Sequence, residues 1–242
     1  MSSEVKGERI AKVIARAGYC SRRAAETLIE QGKVKVNGSV LKTPATLVND
    51  QDTILIEGIP LRAAEKTRLW KFHKPRGYLV TSKDPEGRPT IFDILPPAMA
   101  NIKTVGRLDM MSEGLLLLTN DGELSRQLEL PDSELERVYH VRILGSITQA
   151  QIDVMKRGLT IEGIRYRPIK TKIIKQSGVN AWLEIALSEG KNREIRKVMA
   201  HFDFKVNRLK RLSYGDVALG NLATGALEEI TVPGSFIKKT SL

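Results

Sequence analysis

The longest apolar run in the chain is a row of four leucines at residues 115–118. A short apolar run that ends in the turn sequence Asn120-Asp121-Gly122 is typical of a buried strand. A charged residue, Asp109, lies just before this strand and follows the apolar pair Val105 and Leu108. Because desolvating an unpaired charge is costly, Asp109 needs a cationic partner or a chemical task.

The composition is that of a globular protein with a strong excess of positive charge. The chain has 242 residues, 41% hydrophobic and 28% charged, which is enough for one large domain or two smaller ones. Its net charge of +11 predicts affinity for a polyanion, with nucleic acid favoured over a mere aid to solubility. The single cysteine, Cys20, excludes an intrachain disulfide, and the three histidines lack metal-ligand spacing. The sequence therefore predicts no metal site.

The distribution of apolar residues indicates neither a membrane protein nor a secretory protein. The first eight residues contain no apolar core, so no signal peptide is expected. The four-leucine run is far too short to cross a bilayer. We therefore expect a cytoplasmic protein that makes no membrane contact.

The first sixty residues have the pattern of a small α+β unit. Apolar residues from Ile10 to Ala17 recur at helical spacing, and Gly18 is placed to end that helix. Ser21 is a candidate N-cap of a second helix, whose apolar positions are Ala24, Ala25, Leu28 and Ile29. Valines around Asn37-Gly38 predict a β-hairpin.

Basic residues are concentrated in this unit. Arg22 and Arg23 open the second helix, although a helix N-terminus normally prefers acids, and a phosphate could bind there. Candidate RNA-binding residues are Arg16, Arg22, Arg23 and Lys35. The alternative is a pair of ordinary solvated helix faces.

The rest of the chain mixes helices and strands without regular alternation. We predict a first domain at 1–60, a linker at 61–67 and a larger domain at 68–242. Strands are expected at 68–74, 115–118, 137–144, 169–174, 181–187 and 206–212, and helices at 123–130, 148–157 and 192–200. This order favours the α+β class with a mainly antiparallel, mixed β-sheet in the larger domain.

Polar residues that could meet Asp109 lie in two later segments. In 189–197, Ile195 and Met199 share a core face, and Arg196 is the candidate partner for a buried carboxylate because its planar fork can hold both oxygens. In 136–141, Tyr139 shares a strand face with Arg137. A strand tyrosine is usually a core residue, but this ring could stack on a base.

These motifs also carry a family resemblance. Residues 9–18, 21–23, 29, 32 and 34–38 resemble an S4-type RNA-binding domain. Residues 74–77, 84–90, 106–122, 136–141, 189–196 and 214–215 resemble, in order, the RsuA/RluB/RluE/RluF family of ribosomal RNA pseudouridine synthases. The nearest resemblance is to the RluB-type, large-subunit branch. One departure is Ser112, where many relatives have threonine, which keeps the hydroxyl.

The resemblance implies a pseudouridine synthase fold, no cofactor and a set of site residues. It implies that Asp109 is the catalytic carboxylate, that Arg196 pairs with it and that Tyr139 packs on the uracil. Arg107 matches the arginine that fills the gap left by a flipped base, and Arg193 and Lys197 are candidate RNA contacts. The substrate would be a structured ribosomal RNA hairpin, free or in a pre-ribosomal particle, bound by a monomer.

Three alternatives stay open at this point. The target could lie in 16S rather than 23S ribosomal RNA, or the chain could be a non-catalytic RNA-binding assembly factor. A glycosidic hydrolase would need two flanking acids. Only Asp109 stands out, since Glu113 and Asp121 are expected in loops.

Overall fold

The computed structural model describes residues 7–130 and 133–237. The expectation about a signal peptide falls largely on residues 1–6, outside the described part. Contacts divide the chain into two compact units, one reaching to Thr67 and including Asn120–Gly122, the other formed by Arg68–Thr119 and the residues from Glu123 onward. The predicted boundaries 1–60, 61–67 and 68–242 include residues outside the described part and stay predictions.

The first unit contains two helices and short strands. Its elements are β1 (Glu8–Arg9), α1 (Ile10–Arg16), α2 (Arg22–Glu30), β2 (Val34–Val36), β3 (Ser39–Val40), β4 (Leu47–Val48), β5 (Ile54–Ile56) and β6 (Ile59–Pro60). Ser21 caps α2, since its hydroxyl accepts from Ala24 N at 3.2 Å, and Asn37-Gly38 turns the β2–β3 hairpin with positive φ at both residues.

The core of this unit lies between the two helices and the sheet of β2, β3, β5 and β6. Ile14, Ile29, Val34 and Ile56 are fully buried in it. Ala24, which was expected in the apolar stripe of α2, is exposed. The buried face of α2 is formed instead by Ala25 and Ile29, which lie four residues apart.

The second unit is built on one large sheet. Its strands are β7 (Leu69–Lys74), β8 (Lys103–Val105), β9 (Glu113–Thr119), β10 (Arg137–Leu144), β11 (Leu159–Ile161), β12 (Ile164–Tyr166), β13 (Lys170–Ser177), β14 (Asn180–Leu187), β15 (Lys205–Tyr214), β16 (Val217–Ala218) and β17 (Leu227–Ile230). In the described part, the order is β13-β14-β10-β15-β9-β7-β17, with β16 beside β15 and β8 beside β9. The β9–β15 pair is parallel and the others are antiparallel, which confirms the mainly antiparallel α+β prediction.

Among the residues that the structure describes, three α-helices accompany the sheet. They are α3 (Gly122–Glu129), α4 (Gln149–Arg157) and α5 (Glu194–His201). α4 begins at Thr148, whose hydroxyl accepts from Gln151 N, and ends at Gly158 with φ 79°. α5 starts two residues later than the sequence predicted, because Arg193 adopts the left-handed conformation (φ 52°) and cannot belong to the helix.

The four leucines of β9 are buried on both faces of the sheet. Leu116 and Leu118 pack in a large core with β10, β14, α4 and α5. Leu115 and Leu117 pack in a smaller core on the other face with α3. A strand covered on both faces needs apolar residues at consecutive positions, which explains the unbroken run.

Gly114 lets β9 approach β15 closely. A Cβ atom at this position would lie 2.3 Å from the carbonyl oxygen of Arg211, and φ is +106°. A side chain there would force the two strands apart. The residues that precede Gly114 are thereby held beside β15. In the described residues, no helix is long and apolar enough to cross a membrane.

Candidate active site

Asp109 lies on a loop that is fixed at both ends. The loop leaves β8 at Gly106, whose N–H donates to Glu129 Oε1 at 2.8 Å. Leu108 anchors it in the large core with 7% exposure. Ser112 N then donates to the carbonyl oxygen of Asp109 at 2.9 Å, which closes a tight turn before β9. The Asp109 side chain keeps 28% exposure, so its carboxylate is partly buried and still reachable.

Two arginines flank the carboxylate. Arg193 Nη1 lies 3.1 Å from Asp109 Oδ2, and Arg196 Nε lies 3.6 Å from the same oxygen. Arg193 is the N-cap residue of α5 and Arg196 lies in its first turn, and both side chains reach the same carboxylate oxygen. The sequence predicted the Arg196 pair but placed Arg193 among RNA contacts. The structure shows that Arg193 is the closer cation.

The two arginines are held very differently. Arg196 Nη1 donates to Val206 O at 3.1 Å, and its Nη2 reaches Met111 O and Ser112 Oγ at 3.4 and 3.5 Å. Burial lowers the pKa of Arg196, and Asp109 opposes that shift, so the guanidinium stays charged. Arg193 is half exposed, at 51%. Arg196 is thus a fixed cation beside the carboxylate, whereas Arg193 is open to solvent.

Lys74 supports the loop from the protein interior. The residue is fully buried, and its Nζ donates to the carbonyl oxygens of Pro75 and Ser112 at 2.9 Å and of Asp109 at 3.3 Å. Burial lowers the pKa of Lys74 to about 8, against the opposing attraction of Asp109 and Glu113. Sequence reasoning missed this role. The available signal was a lysine that ends an apolar strand directly before a proline.

Tyr139 is a buried residue of β10 on the face of the large core. It is 9% exposed and belongs to the same apolar cluster as Leu108, the neighbour of Asp109. Val141 shares its face, while His140 points to the other face, where its Nε2 lies 3.8 Å from Glu184. The tyrosine therefore lies in the core that anchors the Asp109 loop, as its alternating strand predicted.

A buried acidic pair, Glu189 and Glu194, lies before and at the first residue of α5 and was not anticipated. Glu194 is 3% exposed, and its Oε2 accepts from Lys191 N at 3.0 Å. Burial raises its pKa to about 7, and the charge of Glu189 adds to that shift. Burial would also raise the pKa of Glu189, but contacts with Lys191 and Arg167 N lower it overall.

The other predicted RNA contacts lie on the surface. Arg107 and Lys197 are exposed in the second unit. In the first unit, Arg16 forms an ion pair with Glu8 at 2.8 Å. The remaining residues of the predicted set are exposed and form no ion pair with any described residue; they are Arg22, Arg23 and Lys35.

This geometry provides one reactive carboxylate rather than an acid pair. Glu113, which the sequence placed in a loop, is the first residue of β9, is 7% exposed and is bonded to Arg208. Asp109, by contrast, has solvent access and lies beside the guanidinium groups of Arg193 and Arg196. It can act as a nucleophile or as a base. Within residues 7–130 and 133–237, no group of three His, Cys, Asp or Glu side chains could hold a metal ion.

Comparison with known proteins identifies the family. Residues 68–201 match the family model for RNA pseudouridylate synthase, and residues 8–54 match the S4 domain. A protein from Rickettsia felis named an uncharacterized RNA pseudouridine synthase is 47% identical over 223 residues, which are 92% of this chain and 96% of that protein. Ribosomal large subunit pseudouridine synthase B of Escherichia coli O157:H7 is 41% identical over 221 residues, 88% of this chain and 75% of that protein.

A solved structure supports the same conclusion. A crystal structure of a pseudouridylate synthase matches with a TM-score of 0.67 and 27% identity, and the match covers 92% of this chain and 96% of that one. The fold and the resemblance predicted from the sequence are confirmed. With its catalytic-domain and S4 matches, the chain belongs to the RNA pseudouridine synthase family.

Proposed function

We propose that this enzyme converts one specific uridine of ribosomal RNA to pseudouridine, with Asp109 as the catalytic carboxylate. The observation that carries the proposal is the position of this carboxylate, which is partly buried and lies 3.1 and 3.6 Å from Arg193 and Arg196. The two guanidinium groups hold and orient this carboxylate where RNA can reach it. A positioned carboxylate is the group that the reaction requires.

The reaction breaks the N1–C1′ bond of uridine, turns the base and joins C5 to C1′. The C5 proton is released and N1, freed from C1′, takes up a proton from solvent, so the overall change is an isomerisation. The carboxylate of Asp109 either attacks C1′ or removes the C2′ proton to give a glycal. Arg196, which is fixed by three contacts in the protein, keeps Asp109 oriented in both routes.

The substrate uridine must leave its helix before it can reach Asp109, at a cost of roughly a few kcal/mol. In our proposal Tyr139 packs on the uracil, and Arg107 occupies the gap in the stack. Arg193 is half exposed and can contact both Asp109 and the RNA backbone. Phosphate contacts offset part of the cost of flipping; the candidate residues for them are Lys197, Arg16, Arg22, Arg23 and Lys35.

We propose a 23S ribosomal RNA hairpin near the peptidyl-transferase centre as the target. Relatives at 40–41% identity that are named ribosomal large subunit pseudouridine synthase B support a large-subunit target. The enzyme would act as a monomer in the cytoplasm, on free RNA or on a pre-ribosomal particle. A 16S target and a non-catalytic assembly role are the competing outcomes.

Mapping pseudouridines in cellular ribosomal RNA tests the target. RNA from cells with the gene, without it and complemented with wild type or Asp109→Asn is compared position by position. We expect one 23S pseudouridine to vanish without the gene and to return with wild type only. Loss of a 16S pseudouridine instead would contradict the proposed 23S target. An identical pseudouridine map with and without the gene would contradict the proposed activity in cells.

A further inference from the structure

A basic pocket of about 620 Å³ lies in the second unit, beside the segment that leads into α5. Five of its lining residues are basic, and only Glu129 and Glu189 are acidic. The basic residues are Arg137, Arg157, Arg165, Arg167 and Lys191. Arg137 is buried and donates to Ser188 O, Leu128 O and Tyr214 Oη, so it is engaged within the protein.

The fold brings these residues together through α4 and the β11–β12 hairpin. Arg157 is the last residue of α4, and Arg165 lies on β12. Gly158 connects the two elements at close range, since a Cβ atom there would lie 2.7 Å from the carbonyl oxygen of Tyr166. The end of the helix is thereby clamped against the hairpin, and Arg157 and Arg165 line the same pocket.

Both acidic side chains of the pocket already have partners within the protein, whereas two of its basic side chains form no ion pair with a described residue. Glu189 contacts Lys191 and lies 4.0 Å from Arg167 Nε. By contrast, Arg157 and Arg165 are exposed and form no ion pair with any residue that the structure describes. Two unpaired guanidinium groups on one pocket favour a bound anion, and the planar fork of arginine matches a phosphate.

The pocket adjoins both segments that build the active site. Glu129 lines it and accepts from the N–H of Gly106, three residues before Asp109. Gly190 and Lys191 also line it, and Arg193 lies two residues further along the chain. The segments that carry Asp109 and Arg193 therefore contact or contribute to the lining of this pocket.

We propose that this pocket binds a backbone phosphate of the substrate RNA at a nucleotide that flanks the flipped uridine, chiefly through Arg157 and Arg165. This inference rests on the proposed function of the Asp109 site. Exposed arginines at the rim suit a phosphodiester chain that runs through the pocket. The contact would fix the register of the RNA and leave the chemistry at C1′ to Asp109.

The test compares the double variant Arg157→Gln/Arg165→Gln with the matched control Lys172→Gln/Lys175→Gln on β13, which removes the same charge from exposed positions outside the pocket. RNA affinity is measured against salt concentration, and kcat and KM by tritium release from 5-tritiated uridine in an RNA hairpin. Thermal unfolding verifies that both variants fold.

We expect the pocket variant to raise Kd and KM about tenfold with kcat unchanged. Its slope of log affinity against log salt should fall by about 0.7–0.9 for each phosphate that the variant no longer neutralises. The control should keep the wild-type slope. Equal slopes for the pocket variant and the control would overturn the proposal.

Two further results separate the possible failures. If wild type binds RNA but releases no tritium, and the pocket variant still shows the smaller slope, the proposed function fails and the pocket assignment stands. Uridine monophosphate is the probe for a free nucleotide. Saturable binding of this probe that the pocket variant abolishes, with RNA affinity unchanged, would assign the pocket to a mononucleotide and contradict the proposal.

Discussion

Replacing Glu194 by glutamine should change how the stability of the second unit depends on pH. The carboxyl group is 3% exposed, and burial raises its pKa to about 7, with a smaller contribution from the charge of Glu189. An unfolded glutamate has the ordinary pKa of 4.5. A raised pKa means that the folded state favours the protonated acid. The stabilisation is therefore complete below pH 4.5 and is lost as the pH rises through 7.

The size of the effect follows from the same two values. A difference of about 2.5 pKa units corresponds to roughly 3 kcal/mol, most of which falls between pH 5 and pH 9. Glutamine cannot ionise, and its amide oxygen can still accept the hydrogen bond from Lys191 N. Relative to Glu194→Gln, wild type should therefore lose about 2–3 kcal/mol of unfolding free energy between pH 5 and pH 9.

Urea unfolding followed by tryptophan fluorescence measures this difference. Both tryptophans, Trp70 and Trp182, lie in the second unit, so the signal reports its unfolding. Glu162→Gln, at an exposed turn of the same unit, is the control and should unfold in parallel with wild type. If the unfolding free energies of wild type and Glu194→Gln change in parallel from pH 5 to pH 9, the reasoning is refuted.

Three other substitutions test the supports of the site. Lys74→Met leaves buried carbonyl groups without a donor and should cost roughly 2–4 kcal/mol in urea unfolding; an unchanged midpoint would contradict its structural role. Gly114→Ala should lower the free energy of unfolding by at least about 3 kcal/mol, because a Cβ atom would clash with β15. The control Gly163→Ala, where a Cβ atom meets nothing within 4 Å, should lower it by only about 1–2 kcal/mol. Equal losses for the two variants would argue against the close approach of β9 and β15. Arg196→Ala should lower kcat by about 10²-fold or more and Lys197→Ala by less than about threefold, and equal effects would show that the wrong cation was chosen.

Regular elements could be predicted because their own residues carry the signal. The helical stripe of α1, the N-cap of α2 and the four leucines of β9 each depend on local periodicity and burial. Some short strands of the second unit escaped prediction. β17, for example, reads Leu-Glu-Glu-Ile with both glutamates exposed, a pattern without alternation. Such strands form because a neighbouring strand, here β7, offers its edge.

The site was predictable only in part, for the same physical reason. Asp109 stood out because it is a charge among apolar residues, and Arg196 because it lies between core positions. The approach of Arg193 to Asp109 joins residues 84 positions apart and depends on where α5 begins. The pKa shifts of Lys74 and Glu194 arise from burial, which no local pattern encodes.

Measuring uridine isomerisation by the Asp109→Asn variant is the most direct test of the central claim. Tritium release from 5-tritiated uridine in the target hairpin is measured under single-turnover conditions, with RNA affinity determined in parallel. Asp203→Asn is the control, because Asp203 is exposed and its left-handed backbone suits asparagine. The account predicts that Asp109→Asn lowers the rate by at least about 10³-fold with Kd within about threefold of wild type, while the control keeps full activity. Wild-type tritium release by Asp109→Asn would contradict the account.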